Sequence, residues 1–179
     1  MKRKRVLTRM LLAVLMLFSV LQVSTVSASF SDQPLEKSEC STATILYFND
    51  GHEISPVVNQ YGDRGGVGRL MTVIESVRAE KVDPIVAFGG DLGGGTLFGG
   101  VFKGFPMVEA FNAMKIDYAN FGQHDFDAGV ENAEKLVEQS EFQWLSSNLI
   151  DPNEDPFAGV PTYAIEERNG IVIGMIARG

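Results

Sequence analysis

Histidine, cysteine and basic side chains are the scarce residues of this 179-residue chain. Cys40 is the sole cysteine, so no disulfide can form within the chain. It is no lipidation site either, because Lys37-Ser38-Glu39 before it is wrong for a lipobox, and it reads as a passive leader residue. Fifteen Lys and Arg stand against 23 Asp and Glu, a net charge of −8. That balance argues against nucleic-acid backbones and anionic lipid as partners. Long apolar runs are also missing: the uncharged stretch Met10 to Val23 falls short of the roughly 20 residues of a spanning helix.

What that stretch does match is an export signal. Met1-Lys2-Arg3-Lys4-Arg5 is a basic start, the apolar stretch follows, and Val26-Ser27-Ala28 offers small residues for cleavage. The expectation is a signal peptide over 1–28, a polar leader over 29–43, and a domain from 44 to 179. Cleavage would remove Lys2, Arg3, Lys4, Arg5 and Arg9 and take the net charge from −8 to −13. An exported, extracellular, cell-wall or periplasmic protein follows, with no stable membrane association after cleavage. Its acidic surface suits a site that recruits divalent cations.

Hydrophobic periodicity orders the rest. Thr44 to Phe48 reads as a strand, and apolar residues at Val67, Leu70, Val73, Ile74 and Val77 predict a helix from Val67 to Glu80. Pro84 to Phe88 is a second strand, and Gly93 to Gly104 a flexible glycine-rich loop. A helix follows from about Pro106 to Met114, then a strand from Ile116 to Phe121 and a helix from Gly129 to Gln139. Trp144 to Asn148 is a fourth strand. Thr162 to Glu166 and Ile171 to Ile176 pair around Arg168-Asn169-Gly170, where Asn-Gly is a strong hairpin signal. Alternating strands and helices predict an α/β layered domain, parallel at first and mixed once the hairpin is added.

Three motifs close three of these strands: Asn49-Asp50-Gly51-His52, Gly89-Gly90-Asp91 and Gly122-Gln123-His124-Asp125-Phe126-Asp127. Ligands of open α/β sheets bind beyond the carboxyl ends of the strands. Carboxylate and imidazole together suit Zn, Mn or Fe(II), and Asp91 could bridge two ions with its two oxygens. Singly, each Asp reads as a turn or cap residue. The glycine loop lacks the Gly-Lys-Ser/Thr of a P-loop, and no Ser or Cys nucleophile sits beside either histidine.

Tyr-Phe-Asn-Asp-Gly-His, Gly-Gly-Val-Gly-Arg-Leu (Gly65 to Leu70), Gly-Gly-Asp and Gly-Gln-His-Asp-Phe-Asp, in that order, resemble the exported bacterial 5'-nucleotidases of the calcineurin-like metallophosphoesterase superfamily. The likeness runs from about Thr44 to the end, including Leu145-Ser146-Ser147-Asn148. It implies a layered metallophosphoesterase-type sandwich, here a truncated N-terminal portion. It also implies metal ligands at Asp50, His52, Asp91 and Gln123, with His124 at the phosphate and Asp127 orienting its ring. Divalent ions would be the cofactors, and nucleoside 5'-monophosphates, nucleotide sugars or cyclic nucleotides the substrates.

The chain departs from that pattern twice. Gln123 stands where the pattern has Asn, and its extra methylene moves the carbonyl oxygen by about 1.5 Å. The pattern also completes its metal spheres with later histidines, including a Gly-His-x-His segment, and adds a substrate domain. No His or Cys follows His124. Asp151, Glu154 and Asp155 could offer oxygens, but their Pro-flanked loop reads as a solvated turn. The expectations are therefore a metal-dependent nucleotide phosphohydrolase, an inactive remnant of one, or a metal- or nucleotide-binding protein on the same scaffold.

Overall fold

The computed structural model describes residues 41–179; the signal-peptide expectation and leader residues 29–40 lie outside the described residues. Alternation along a single strand sets the layers. In Ile85–Phe88, Val86 and Phe88 join one apolar cluster, while Ile85 and Ala87 join another. Successive side chains of a strand point to opposite faces, so this strand is covered on both sides.

The elements run β1 (Ile45–Phe48), β2 (Val57–Asn59), β3 (Gly62–Arg64), α1 (Val67–Glu80), β4 (Ile85–Phe88), α2 (Leu97–Phe102), α3 (Phe105–Met114), β5 (Tyr118–Ala119), a 3-10 turn (Gln123–Phe126), α4 (Val130–Gln139), β6 (Gln143–Trp144), a second 3-10 turn (Phe157–Gly159), β7 (Tyr163–Arg168) and β8 (Ile171–Ile176). Four strands form a parallel sheet in the order β1-β4-β5-β6. On one face Ile74 of α1, Met107 and Phe111 of α3, and Ala133 and Leu136 of α4 meet Val86, Phe88 and Trp144. Each large side chain buried there contributes about 1.5–3 kcal/mol.

The opposite face is covered by the β7–β8 hairpin, through Ala164, Ile173 and Met175 against Ile85, Tyr118 and Leu145. The strand set is thus mixed, as the sequence predicts, with the antiparallel pair as a separate sheet. Its turn is what Asn-Gly dictates: Asn169 and Gly170 have φ of 51° and 74°, and Arg168 pairs with Ile171. Arg168 fastens the hairpin to the sheet through ion pairs with Asp83 at 2.8 Å and Asp117 at 3.2 Å, and pairs within the hairpin with Glu166 at 3.2 Å.

Three sequence expectations are corrected. The glycine-rich loop is not irregular throughout, because Leu97–Phe102 is a helix. Thr96 Oγ1 accepts from Gly99 N at 3.0 Å to start it, and Phe98 and Phe102 pack with ring centroids 4.7 Å apart. The loop between His52 and Gly65 contains the β2–β3 hairpin, whose residues are all exposed and so carry no alternation to read. The fourth strand is Gln143–Trp144 rather than Trp144–Asn148. Beyond Leu145, the N–H groups of Ser146 and Ser147 turn to the carbonyls of Pro161 and Ala177.

Candidate metal and phosphoester site

Since β1, β4 and β5 are parallel neighbours, the loops after them emerge at one edge. These loops carry Asp50 and His52, Asp91, and Gln123 to Asp127. Asp50 and Asp91 both adopt left-handed backbone, with φ of 57° and 67°. Aspartate tolerates this region better than most residues. Asp50 N–H donates to Gly90 O at 3.1 Å, tying the first loop to the second, and Gly94 N–H donates to His124 O at 3.0 Å, tying the second to the third.

These ties bring the two histidines together. Their ring centroids are 5.4 Å apart and nearly perpendicular. His52 Nδ1 lies 3.3 Å from Gly93 O, which fixes the ring and directs Nε2 toward Asp50 Oδ1 at 3.9 Å. His124 Nδ1 is 2.8 Å from Asp127 Oδ2. That bond raises the imidazole pKa above its ordinary value and lowers that of Asp127. Asp127 is itself held by the N–H of Gly95 at 3.2 Å. Asp127 thus bonds both the His124 ring and the glycine loop.

Asp91 Oδ1 accepts from His124 N–H at 2.8 Å. Gln123 is exposed, and its side chain makes one polar contact among the described residues, Nε2 to His124 Nε2 at 3.5 Å. The acidic loop after Ile150 is a self-capped turn: Asp151 Oδ1 accepts from the N–H groups of Asn153 and Asp155 at 2.8 and 3.0 Å.

The donor set can be tested against a divalent ion. Two ligands of a tetrahedral ion with bonds near 2.1 Å stand about 3.4 Å apart. Asp50 Oδ1 and His52 Nε2, at 3.9 Å, need only a small closure to share one. Among the described residues, however, no group of three His, Cys, Asp or Glu side chains is placed to hold a metal ion. Asp50 and His52 alone do not make a coordination sphere.

One residue of the site escapes sequence reasoning. Asp125 is 1% exposed, and its carboxylate accepts from the N–H groups of Asp91, Leu92, Gly93 and Gly122 at 2.8 to 3.0 Å. Burial raises its pKa, and these four bonds, which favour the ionised form, offset part of the rise. The signal was the spacing Gly122-x-x-Asp125, the N-cap to N3 interval at which an acid reaches back to cap a helical turn. Beside the site, a cavity of about 570 Å³ opens between Asp50, His52, Arg69, Leu70 and Phe111.

The fold has solved counterparts. A solved calcineurin-like phosphoesterase from Bacillus subtilis matches 75% of this chain and 47% of its own, with a TM-score of 0.61 at 19% identity. The sequence narrows it: human 5'-nucleotidase is 34% identical over 115 residues, 59% of this chain and 20% of its own. A probable 5'-nucleotidase of Treponema pallidum is 32% identical over 143 residues, 74% of this chain and 24% of its own. No protein-family model matches the chain. It is a homologue of the 5'-nucleotidases with the calcineurin-like phosphoesterase fold, consistent with an N-terminal part of them. The chain spans about a fifth to a quarter of the length of these curated relatives.

Proposed function

We propose that this chain supplies part of the active site of an exported, metal-dependent phosphohydrolase acting on nucleoside 5'-monophosphates or related nucleotides. One observation carries the reading: two histidines 72 positions apart in sequence meet at 5.4 Å, beside aspartates from two neighbouring strand ends. Asp50 and His52 would be donors to one divalent ion, and Asp91 and Gln123 would be donors to a second. Among the described residues no third His, Cys, Asp or Glu side chain joins either pair. When bound, such ions neutralise charge on the phosphoryl group and activate water.

The chain's own residues account for the proton. Asp127 occupies His124 Nδ1, which leaves Nε2 as the nitrogen able to give a proton to a departing oxygen. The same bond raises the ring's pKa, so the donor form persists to higher pH. Export rests on the basic, apolar and small-residue order of the first 28 residues.

A second reading is divalent-ion or nucleotide binding without turnover, favoured by the lack of a three-ligand group among the described residues. Phosphate release from AMP with Mn²⁺, measured for the wild type and His124→Ala, separates the two. Release lost in the variant supports hydrolysis. AMP or Mn²⁺ binding with no release in either protein supports the second reading.

A further inference from the structure

We propose that Asp125 is the positioning residue of this site, a buried carboxylate that sets Asp91 and His124 relative to one another. The inference rests on the reading of those two as site residues, and it is carried by hydrogen-bond geometry. Oδ1 accepts from Leu92 and Gly93 at 2.8 and 2.9 Å, and Oδ2 from Asp91 and Gly122 at 3.0 and 2.8 Å. Three consecutive N–H groups converging on one point form a backbone anion cradle. Here the cradle is filled by the protein's own carboxylate, which arrives from the neighbouring loop.

The clasp is reciprocal. Asp125 accepts from the loop that carries Asp91, and Asp91 Oδ1 accepts in return from the N–H of His124 at 2.8 Å. Each loop therefore holds the other, and the left-handed backbone at Asp91, φ 67°, persists because its own N–H is spoken for. A solvated turn would need none of this. Among the described residues Asp125 hydrogen-bonds only backbone N–H groups, while the His124 ring takes Asp127 as its Nδ1 partner. Its effect reaches the site only through the backbone of the two loops.

Asp125→Asn tests this. The variant keeps the shape, but one acceptor oxygen becomes an NH₂ that faces N–H donors, so two of the four bonds are lost. Two readouts are compared with wild type: Co²⁺ affinity from its visible absorption, and the amide resonances of Asp91, Leu92, Gly93 and His124. Leu136→Ala, a fully buried truncation in α4, serves as a variant destabilised away from the clasp. The expected result is a cooperative melt, upfield movement of the amides whose acceptor oxygen becomes NH₂ and of His124, and Co²⁺ affinity down by about 10–100-fold, the range for residues that orient ligands. Leu136→Ala should leave both readouts in place.

An Asp125→Asn protein that binds Co²⁺ as wild type does, with the His124 amide unmoved, overturns the proposal. So does equal loss in Leu136→Ala. If wild type binds no Co²⁺, the reading of these residues as a metal site fails, and movement or stillness of the His124 amide still decides the clasp. Should Asp125→Asn not melt cooperatively, Asp125→Glu, which keeps both oxygens, carries the same comparison.

Discussion

Gly122→Ala isolates a steric requirement of the site from any requirement of backbone conformation. Gly122 has φ −111° and ψ −179°, extended backbone open to every residue. Alanine therefore costs nothing conformationally, and the whole effect comes from its methyl group. That carbon would stand 2.2 Å from Asp91 Oδ1 and 2.7 Å from Asp91 N, where ordinary contact begins at 3.4 Å. Relief requires the Asp91 carboxylate to move by about 1.2 Å, the gap between those values. It is not free to do so, since its backbone is pinned to Asp125 and its Oδ1 to the His124 N–H. Overpacking of this kind costs about 1–3 kcal/mol. For a domain of this size each kcal/mol is about 3–4 °C, so thermal unfolding should shift down by about 3–12 °C. Gly68→Ala is the opposite case: a site within α1 with nothing inside 4 Å, where alanine should stabilise by about 0.5–1 kcal/mol. Circular dichroism melts of both variants give the comparison. A Gly122→Ala protein that melts within a degree of wild type, with the Asp91 amide resonance unmoved, refutes the reasoning.

The His124–Asp127 pair predicts a pH window. The imidazole's folded pKa lies above 6.5, so its contribution is complete below 6.5 and lost as pH rises through the folded value. The carboxylate's lies below 3.8, so its contribution is complete above 3.8 and lost as pH falls through the folded value. The stability gap between wild type and Asp127→Asn should be widest between these pH values and close on either side, and melts across pH 3 to 9 measure it; a gap flat with pH counts against the pairing. Arg168→Met should loosen the hairpin, because Asp83, Asp117 and Glu166 lose a cation that is 18% exposed at its side chain. A loss of about 1.5–3 kcal/mol is expected from charged hydrogen bonds, read by denaturant unfolding, with faster proteolysis within β7 and β8. Unchanged unfolding and proteolysis would show that apolar packing alone holds the hairpin.

Much of the scaffold was legible because local signals agreed with packing. The spacing of Val67, Leu70, Ile74 and Val77 predicts the helix that forms over Val67–Glu80, and Asn169-Gly170 makes the turn its φ values require. What was hidden lacked a periodic signature. Val57–Asn59 and Gly62–Arg64 pair without burying a face, and Leu97–Phe102 forms across two glycines because Thr96 caps it and Phe98 packs on Phe102. At the site, residue types and strand ends pointed to Asp50, His52, Asp91 and His124. Asp125 was unreadable as a clasp because its partners are backbone N–H groups from another loop, which leave no trace in side-chain identity. The placement of Gln123 likewise depends on the turn that carries it.

The central claim is that loops from three strand ends build one site, and the presence of only two histidines makes it directly measurable. Substoichiometric Mn²⁺ is added to the protein while the ring-proton resonances of His52 and His124 are followed by NMR. With ring centroids 5.4 Å apart, one paramagnetic ion at Asp50 and His52 lies close enough to broaden both rings together. The account predicts that both broaden in parallel and that both stay sharp in Asp50→Asn. Broadening of one ring without the other, or of both undiminished in Asp50→Asn, would contradict it.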